Sequence, residues 1–184
     1  MAASCERLQL FPTPLGWMAI AGRDDVLQGV SFGYATRREA QAAAEKRWGG
    51  RLVAGDWNDD LRNRLTEYAG GKPTELCDVL LGNQDLSPFQ RAVLAHCRQI
   101  GWGRTLTYGQ LAQRAGFPGA ARAVGSVRAS NRYPLVVPCH RVIAAGGGLG
   151  GYSARDGIGM KWRLLRLERA EVARKIPRPT PVPI

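Results

Sequence analysis

The sequence predicts an α+β protein in which a strand-containing N-terminal domain precedes a mostly helical C-terminal domain. Two apolar runs of β-favouring residues, 15–22 and 26–33, flank a charged turn, as in a β-hairpin. Patterns with helix start and stop signals fill much of the chain beyond residue 86. The charge changes at the same place, from a net −2 over residues 1–85 to a net +13 over residues 86–184. We therefore predict two domains, 1–85 and 86–170.

Two helices and a further strand are predicted after the hairpin. Thr36 is suited to cap a helix over residues 37–48, which the glycine pair that follows would end. Residues 58–69 predict a second helix, because their apolar residues recur at spacings of three and four. Residues 76–81 are predicted as a further strand. No pattern in this half indicates catalytic chemistry.

A capping box marks the first helix of the C-terminal half. In the run Ser-Pro-Phe-Gln over residues 87–90, the serine precedes the glutamine by three positions and proline follows the serine, so a helix should begin at Pro88. Its inner stripe is predicted to comprise Phe89, Val93, Cys97 and Ile100. We therefore interpret Cys97 as a core residue and not as a reactive thiol.

Two shorter helices follow in a helix-turn-helix pattern. A second capping box, Thr-Tyr-Gly-Gln over residues 107–110, opens a helix that runs to Ala115, and Pro118 introduces another over residues 119–129. Short helices joined by a tight Gly-Phe-Pro turn are typical of this DNA-binding motif. An Ala-rich pair of core helices in an unrelated fold is the alternative.

The second helix of this pair has a shallow outer surface. Val124 and Val127 are predicted to face inward, and of the long side chains only Arg122 and Arg128 are expected to project. The small residues on the outer surface, which let a backbone approach DNA closely, are Ala120, Ala121, Gly125 and Ser126. A helix that reads base edges in the major groove carries long polar side chains. We therefore expect contact with little sequence readout, compatible with the minor groove.

The run Y-P-L-V-V-P-C-H-R-V-I, residues 133–143, presents the main candidate nucleophile. Its valine pair predicts a short buried strand, which Pro138 ends so that Cys139 is held beside His140. A cysteine attacks as the thiolate, a minor species at neutral pH for an unperturbed pKa of about 8.5, so a base or a positive environment is needed. Successive extended residues point to opposite faces, so the two side chains need a turn or a bridging water to interact. The alternative is that Cys139 is a small buried hydrophobe.

A glycine-rich loop follows this run. Five glycines within residues 146–151 precede Tyr152 and Ser153, and no Gly-Lys-Ser/Thr follows them, which excludes a Walker loop. A flexible loop that closes over a bound group fits this composition, and an inert hairpin is the alternative.

The last predicted helix carries a carboxylate on its apolar side. Residues 158–170 predict this helix, and Glu168 lies on or beside its apolar stripe. A buried carboxylate needs a hydrogen-bond donor or a cation, either His140 or an arginine. Residues 171–184, which contain four prolines, are predicted to form a disordered tail.

Composition and cysteine spacing argue against several classes of protein. No stretch approaches the roughly 20 apolar residues of a membrane span, and residues 1–12 lack the apolar run of a signal peptide. The four cysteines are far apart and none forms a C-x-x-C pair, which argues against a zinc module or a disulfide framework. We expect a cytoplasmic protein with reduced thiols, no bound metal and no membrane partner.

The basic C-terminal half indicates the class of partner. Its 16 lysines and arginines, against three acidic residues, point to a polyanion. Nucleic acid is favoured over a membrane, because no basic amphipathic helix with an aromatic, lipid-facing side accompanies these charges. A solvated basic surface is the alternative.

Over residues 87–168 the chain resembles the O6-alkylguanine-DNA alkyltransferases. The resemblance is carried, in order and spacing, by Ser-Pro-Phe-Gln, Thr-Tyr-Gly-Gln-Leu-Ala, Ala-Ala-Arg-Ala-Val-Gly, Asn131, Pro-Cys-His-Arg-Val-Ile, Gly-Gly-Tyr-Ser and the stretch from Lys161 to Glu168. It implies an N-terminal α/β domain resembling a ribonuclease H core and a mostly helical C-terminal domain that carries the helix-turn-helix and the active site. It implies no cofactor.

The resemblance also implies catalytic roles. Cys139 would accept the alkyl group, and His140 would act through a water as its base. Glu168 would orient His140, and Asn131 would organise the turn before the active site. The product is a thioether, so each molecule is expected to react once. The alternatives are a non-catalytic lesion binder of the alkyltransferase-like type, which lacks the acceptor cysteine, and a cysteine hydrolase, which the basic half disfavours.

Double-stranded DNA containing O6-alkylguanine is the implied partner, bound by a monomer, with O4-alkylthymine as a second candidate substrate. Tyr108 would assist nucleotide extrusion and protonation of the base, and Arg122 would fill the space left in the duplex. Tyr152 and Ser153 would contact the extruded guanine. The other residues expected to contact DNA are Ala121, Gly125, Ser126 and Arg128.

Two departures from the family's pattern stand out. Arg132 follows Asn131 where the family usually has proline, although Pro134 is kept, so the entry to the active-site segment is expected to differ locally. Some members hold a structural zinc in the N-terminal domain. This sequence offers Cys5 but no histidine before His96, and we expect no zinc.

Overall fold

The computed structural model describes residues 6–49, 52–82, 85–177 and 179. It shows an α+β fold that divides into two compact units, residues 1–82 and residues 83–184. The sequence placed this boundary three residues later. Among the described residues, no helix is long and apolar enough to cross a bilayer.

The N-terminal unit is built on one sheet. Its described elements are β1 (Glu6–Phe11), β2 (Trp17–Arg23), β3 (Val26–Tyr34), α1 (Arg37–Trp48), β4 (Leu52–Ala54) and α2 (Asp59–Ala69). The predicted hairpin is confirmed as β2 and β3, which pair antiparallel, and β1 pairs antiparallel with the other edge of β2. β4 lies parallel to β1, so the sheet order is β3-β2-β1-β4. Helix α1 packs against the first three strands and begins after Thr36, whose hydroxyl accepts from Glu39 N at 3.2 Å.

Two differences from the sequence analysis lie in this unit. β1 was not predicted, because its polar residues hide the strand pattern; one of them, Gln9, is buried and donates to Asp59 Oδ1 at 2.9 Å. The strand predicted over residues 76–81 is wrong, since only Leu81 forms a bridge, with Leu27. Leu76 and Val79 are buried at a spacing of three, which suits a turn and not the alternation of a pleated strand.

The C-terminal unit is mostly helical. Its described elements are α3 (Pro88–Arg98), β5 (Leu106–Thr107), α4 (Tyr108–Arg114), α5 (Ala121–Ala129), a 3₁₀ turn (Cys139–Arg141), β6 (Val142–Ile143), α6 (Gly157–Leu167) and α7 (Glu171–Lys175). Both predicted capping boxes are present, at the starts of α3 and α4. The strands β5 and β6 pair in parallel, with Thr107 opposite Ile143. This pairing brings the start of α4 close to the 3₁₀ turn that precedes β6.

The inner stripe of α3 is confirmed except at its first member. Val93, Cys97 and Ile100 are buried, so Cys97 is a core residue as interpreted. Phe89 is only half-buried, and it packs edge-on against Phe117 with 4.8 Å between ring centroids. The first turn of α3 therefore contacts the segment that joins α4 to α5.

The short strand predicted before Cys139 is wrong, because this segment folds as a turn. Leu135 adopts a left-handed conformation with φ of +74°, and Val137 N donates to Tyr133 O at 2.7 Å. A β-strand has no place for a positive φ. Cys139 consequently opens a 3₁₀ turn, which supplies the turn that a Cys-His neighbour pair requires.

The tail predicted to be disordered from residue 171 begins instead with helix α7. Ala173 is 1% exposed and belongs to an apolar cluster with Leu149, Leu165 and Ala170. The prolines that suggested disorder all lie beyond the helix, so they do not oppose it. Arg178 and residues 180–184 of the predicted tail lie outside the described residues.

Candidate active site

Asn131 closes the turn that leads to Cys139. Its side-chain oxygen accepts from Tyr133 N at 2.9 Å, and its amide nitrogen donates to Val137 O at 3.0 Å. The same nitrogen lies 3.2 Å from Cys139 Sγ, in donating geometry. Asn131 is 4% exposed, so these bonds are made away from water. The structure thus brings Asn131 to the position that the sequence analysis assigned to it. Arg132, which follows it, is exposed, and the turn forms without proline at that position.

Cys139 is almost completely buried, with 2% of its surface exposed. Burial raises the pKa of the thiol above its ordinary value, while the hydrogen bond from Asn131 and the charges of Arg128 and Lys161 act in the opposite direction. The resting sulfur therefore carries its proton at neutral pH, and a base has to remove it when the thiol reacts.

The imidazole of His140, which follows Cys139 in the chain, is held by Glu168. Its Nε2 lies 2.8 Å from Glu168 Oε1, and both side chains are fully buried. Burial lowers the pKa of the imidazole, and the Glu168 carboxylate only partly offsets this, so the ring is neutral near pH 7. An ionised carboxylate only accepts hydrogen bonds, so Nε2 carries the ring hydrogen and Nδ1 holds the lone pair that can take a proton.

Glu168 binds an arginine as well as the histidine, so both partners that the sequence left open are present. Arg141 Nη2 donates to Oε1 at 2.8 Å and Arg141 Nε donates to Oε2 at 2.9 Å. Burial alone would raise the pKa of this carboxyl, yet the bonds to His140 and Arg141 hold it well below its usual range. Glu168 is therefore ionised at neutral pH and gives His140 and Arg141 a shared counter-charge.

The backbone around Gly103 completes the Glu168 site. Gly103 N donates to Glu168 Oε2 at 3.2 Å. Gly103 has φ of +68°, and a Cβ at this position would lie 2.8 Å from the Glu168 carbonyl oxygen. Only glycine fits this approach without strain. The loop after α3 is thus held against the end of α6, where the carboxylate is placed.

A cavity of about 720 Å³ opens beside this site. Its wall contains most of the residues that the sequence analysis assigned to substrate and DNA, namely Tyr108, Ala121, Arg122, Gly125, Arg128, Tyr152 and Ser153. Arg122 and Ser153 are exposed at the cavity, whereas Ser126 is exposed on α5 and is not part of the wall. Fold contacts therefore gather side chains from α4, α5 and the glycine-rich loop around one space.

Arg128 does not project from the protein, which corrects the sequence prediction. It is 5% exposed, and its Nε donates to Cys139 O at 3.1 Å while Nη2 donates to Gly151 O at 2.7 Å. The remaining guanidinium nitrogen donates to the Tyr108 hydroxyl. Arg128 follows Val124 by four residues, so the two lie on the same, buried side of α5.

Lys161 is buried near the site, and the sequence analysis assigned no role to it. Its Nζ donates to Val142 O at 2.5 Å and to Leu149 O, and burial lowers its pKa to about 7. A signal was available in the sequence. Lys161 precedes Leu164, Leu165 and Glu168 by three, four and seven residues, the spacing of one helix face. The described residues hold no group of three or more His, Cys, Asp or Glu suited to a metal.

Comparison with known proteins shows the family of this chain. The family model described as 6-O-methylguanine DNA methyltransferase, DNA binding domain, matches residues 88–170. A methylated-DNA–protein-cysteine methyltransferase of Mycolicibacterium paratuberculosis is 38% identical over 163 residues, which cover 85% of this chain and 88% of the relative. A protein of the same name from Shigella flexneri is 44% identical over 108 residues, covering 59% of this chain and 61% of that protein.

The fold is shared over nearly the whole chain. The crystal structure of Mycobacterium tuberculosis OGT in complex with DNA matches with a TM-score of 0.73 and 33% identity, covering 91% of this chain and 96% of that one. The unit that matches the DNA-binding domain carries a buried cysteine beside a histidine bound to a carboxylate. The chain as a whole has the fold of the OGT structure. The chain belongs to the family of methylated-DNA–protein-cysteine methyltransferases.

Proposed function

We propose that this protein repairs DNA by moving the alkyl group of O6-alkylguanine irreversibly onto Cys139 Sγ. The observation that carries the proposal is the buried Cys139 thiol, next to a histidine that Glu168 holds at 2.8 Å and beside a cavity lined by Tyr108 and Tyr152. Membership of the methyltransferase family supports the same reaction. Methyl is the first candidate among alkyl groups, and O4-alkylthymine is a second candidate substrate.

The proton of the thiol would leave through His140. Since Nε2 is bound to Glu168, Nδ1 would take the proton from Cys139 through a water, and the carboxylate would stabilise the imidazolium that forms. Sulfur attacks the alkyl carbon, a C–S bond forms and the C–O6 bond breaks. Guanine leaves with that electron pair and regains a proton from a donor such as Tyr108 or Ser153. A thioether is not hydrolysed under mild conditions, so each molecule would react once.

The alkylated base has to reach the buried sulfur. The target nucleotide would be flipped out of the duplex into the cavity, at a cost of a few kcal/mol for unstacking. Arg122, which is exposed on α5 at the cavity wall, would offset part of this cost by occupying the gap. Helices α4 and α5 would act as a helix-turn-helix whose small residues, Ala121, Gly125 and Ser126, approach the minor groove. The net charge of +13 beyond residue 85 supports binding to a polyanion.

The finer assignment of the N-terminal unit also belongs to this proposal. An antiparallel β3-β2-β1 arrangement with β4 added in parallel beside β1 supports a ribonuclease H-like core. We propose that the protein acts as a monomer in the cytoplasm, where thiols stay reduced. Three described cysteines, Cys77, Cys97 and Cys139, are free thiols.

The test is label transfer from DNA to protein. Incubation with a duplex that carries O6-[³H-methyl]guanine should place label on the Cys139 peptide in a one-to-one ratio, with no second turnover. Cys139→Ser should bind the same duplex and take up no label. Binding by the wild-type protein without labelling would favour the non-catalytic alternative, and repeated turnover of an ester substrate would favour the hydrolase.

A further inference from the structure

The guanidinium of Arg128 is buried without an acidic partner among the described residues. Its hydrogen bonds go to the carbonyl oxygens of Cys139 and Gly151 and to the Tyr108 hydroxyl, all of which are uncharged. Its Cζ also lies 4.7 Å from the centre of the Tyr108 ring. The buried carboxylate of the site, Glu168, is engaged by Arg141 and His140. A buried charge is costly unless it is paired, and neutral oxygens offset this cost only in part.

Arg128 also contacts three separate segments of the site. Its partners lie on the turn that carries the thiol, at the start of α4, and on the glycine-rich loop. Arg128 also forms part of the cavity wall. A single planar side chain with several fixed donors therefore sets the distances between nucleophile, cavity wall and loop. A flexible ammonium would not impose the same geometry.

The bond to Tyr108 fixes which way that hydroxyl donates. Arginine has no acceptor, so Tyr108 Oη must accept the bond, and its own hydrogen remains for another acceptor. Tyr108 lines the cavity, where such an acceptor would be the leaving base. Gly150, with φ of +66°, allows the loop to approach, because a Cβ there would lie 2.7 Å from the Tyr108 oxygen.

We propose that Arg128 is a positioning residue for alkyl transfer, which holds the Tyr108 hydroxyl as a donor toward the departing guanine and ties the Cys139 turn to the loop at Gly151. The proposal rests on the proposed function. The buried positive charge meets its counter-charge during the reaction, when the thiolate forms and when guanine departs as an anion. In agreement, the charge of Arg128 lowers the pKa of Cys139 against the effect of burial.

The test combines substitutions of Arg128 with Tyr108→Phe. Arg128→Met, which keeps length but removes charge and donors, should slow single-turnover label transfer by about 10²-fold, the usual scale for losing a positioned acid. Tyr108→Phe should slow it similarly, and the double variant should be no slower than the slower single variant, because the two residues act as one unit. Arg174→Met, which removes one exposed charge on α7, is the matched control and should transfer at the wild-type rate.

A second measurement separates geometry from charge. Iodoacetamide labelling of Cys139, followed on its peptide across a pH series, reports the thiolate fraction without any base leaving. Arg128→Met should move the pH–rate curve to higher pH and so lower the rate below the pKa of the thiol. Arg128→Lys should retain the wild-type curve and still transfer slowly from DNA, since a lysine keeps the charge but loses the fork. A loss of structure alone would not separate the two rates in this way.

The outcomes decide between the proposals. Transfer by Arg128→Met at the wild-type rate, or losses that multiply in the double variant, would overturn the role of Arg128 and leave the proposed function intact. Absence of label transfer in the wild-type protein would instead refute the proposed function. Thermal unfolding of each variant shows whether it folds, and Arg128→Lys decides the question if Arg128→Met does not.

Discussion

Replacing the carboxylate of Glu168 by an amide, Glu168→Gln, should weaken both the fold and the reaction. The carboxylate accepts hydrogen bonds from His140 Nε2 at 2.8 Å, from Arg141 Nη2 at 2.8 Å and Nε at 2.9 Å, and from Gly103 N at 3.2 Å. A glutamine of the same shape has one accepting oxygen and one donating NH₂. Whichever way the amide turns, its NH₂ group faces donors, and Arg141 loses its buried counter-charge.

The expected loss of stability follows from burial. Glu168 is fully buried at its side chain and Arg141 is 8% exposed, so the pair lies in the range where removing one partner costs about 3–5 kcal/mol. A domain is stabilised by only about 5–15 kcal/mol in total, so the C-terminal unit should unfold at a clearly lower urea concentration. Tryptophan indole NMR signals of Trp102 and Trp162 report on this unit separately from the N-terminal unit.

The expected loss of activity follows from the state of His140. Without the negative charge the pKa of the ring falls further, and Nε2 keeps its acceptor in only one of the two orientations of the amide, so the ring becomes a weaker and less well-oriented base. Single-turnover label transfer should slow by about 10²-fold or more. Glu171→Gln is the matched control, because that carboxylate is 79% exposed and pairs with Lys175 on α7. The reasoning is refuted if Glu168→Gln and Glu171→Gln unfold at the same urea concentration and transfer label at the same rate.

Three further outcomes are expected. Gly103→Ala places a Cβ 2.8 Å from a carbonyl oxygen at a φ of +68° and should cost about 1–3 kcal/mol of unfolding free energy. Gly101→Ala, where a Cβ meets open space, should not, and equal urea midpoints of the two variants would contradict this. Asn131→Ala removes the side-chain hydrogen bonds to Tyr133 N and Val137 O, and each buried backbone group left without its partner costs about 1–3 kcal/mol of unfolding free energy. The same change should slow iodoacetamide labelling of Cys139, and unchanged labelling would show that Asn131 does not act on the thiol. Folding lowers the pKa values of both His140 and Glu168, so the unfolded chain binds more protons than the folded one. The stability that these two groups contribute is therefore present above about pH 6.5 and is lost as the pH falls, first from His140 and then, below about pH 4.5, from Glu168. A urea midpoint of the C-terminal unit that stays constant across this range would argue against the assignment.

Much of the fold could be predicted from local patterns. The capping boxes that open α3 and α4 were recognisable because a cap bonds residues only three positions apart. The β2–β3 hairpin was recognisable for a similar reason, since its two strands are separated by a short charged turn. The strand β1 was missed because it depends on partners across the sheet, and the turn at Leu135 was missed because the valine pair favours a strand while the side chain of Asn131 closes a turn.

The candidate site shows the same division. Cys139, His140, Asn131 and Glu168 were identified through their motifs, and the structure brings them together. Arg128 was assigned to the wrong surface, because helical spacing allows position 128 to face either the solvent or the loop at Gly151. Spacing alone also left open whether Glu168 binds His140 or an arginine, and the structure shows both.

The sequence by itself determined which residue types are available for chemistry and where most helices begin, because those signals act over a few neighbouring residues. Only the tertiary structure decided how charge is distributed inside the C-terminal unit: a carboxylate shared by His140 and Arg141, a lysine held by two carbonyl oxygens, and Arg128 buried between the thiol turn and the cavity. Those arrangements join residues that are 11 to 28 positions apart, and burial sets the charge state of each group only once they meet.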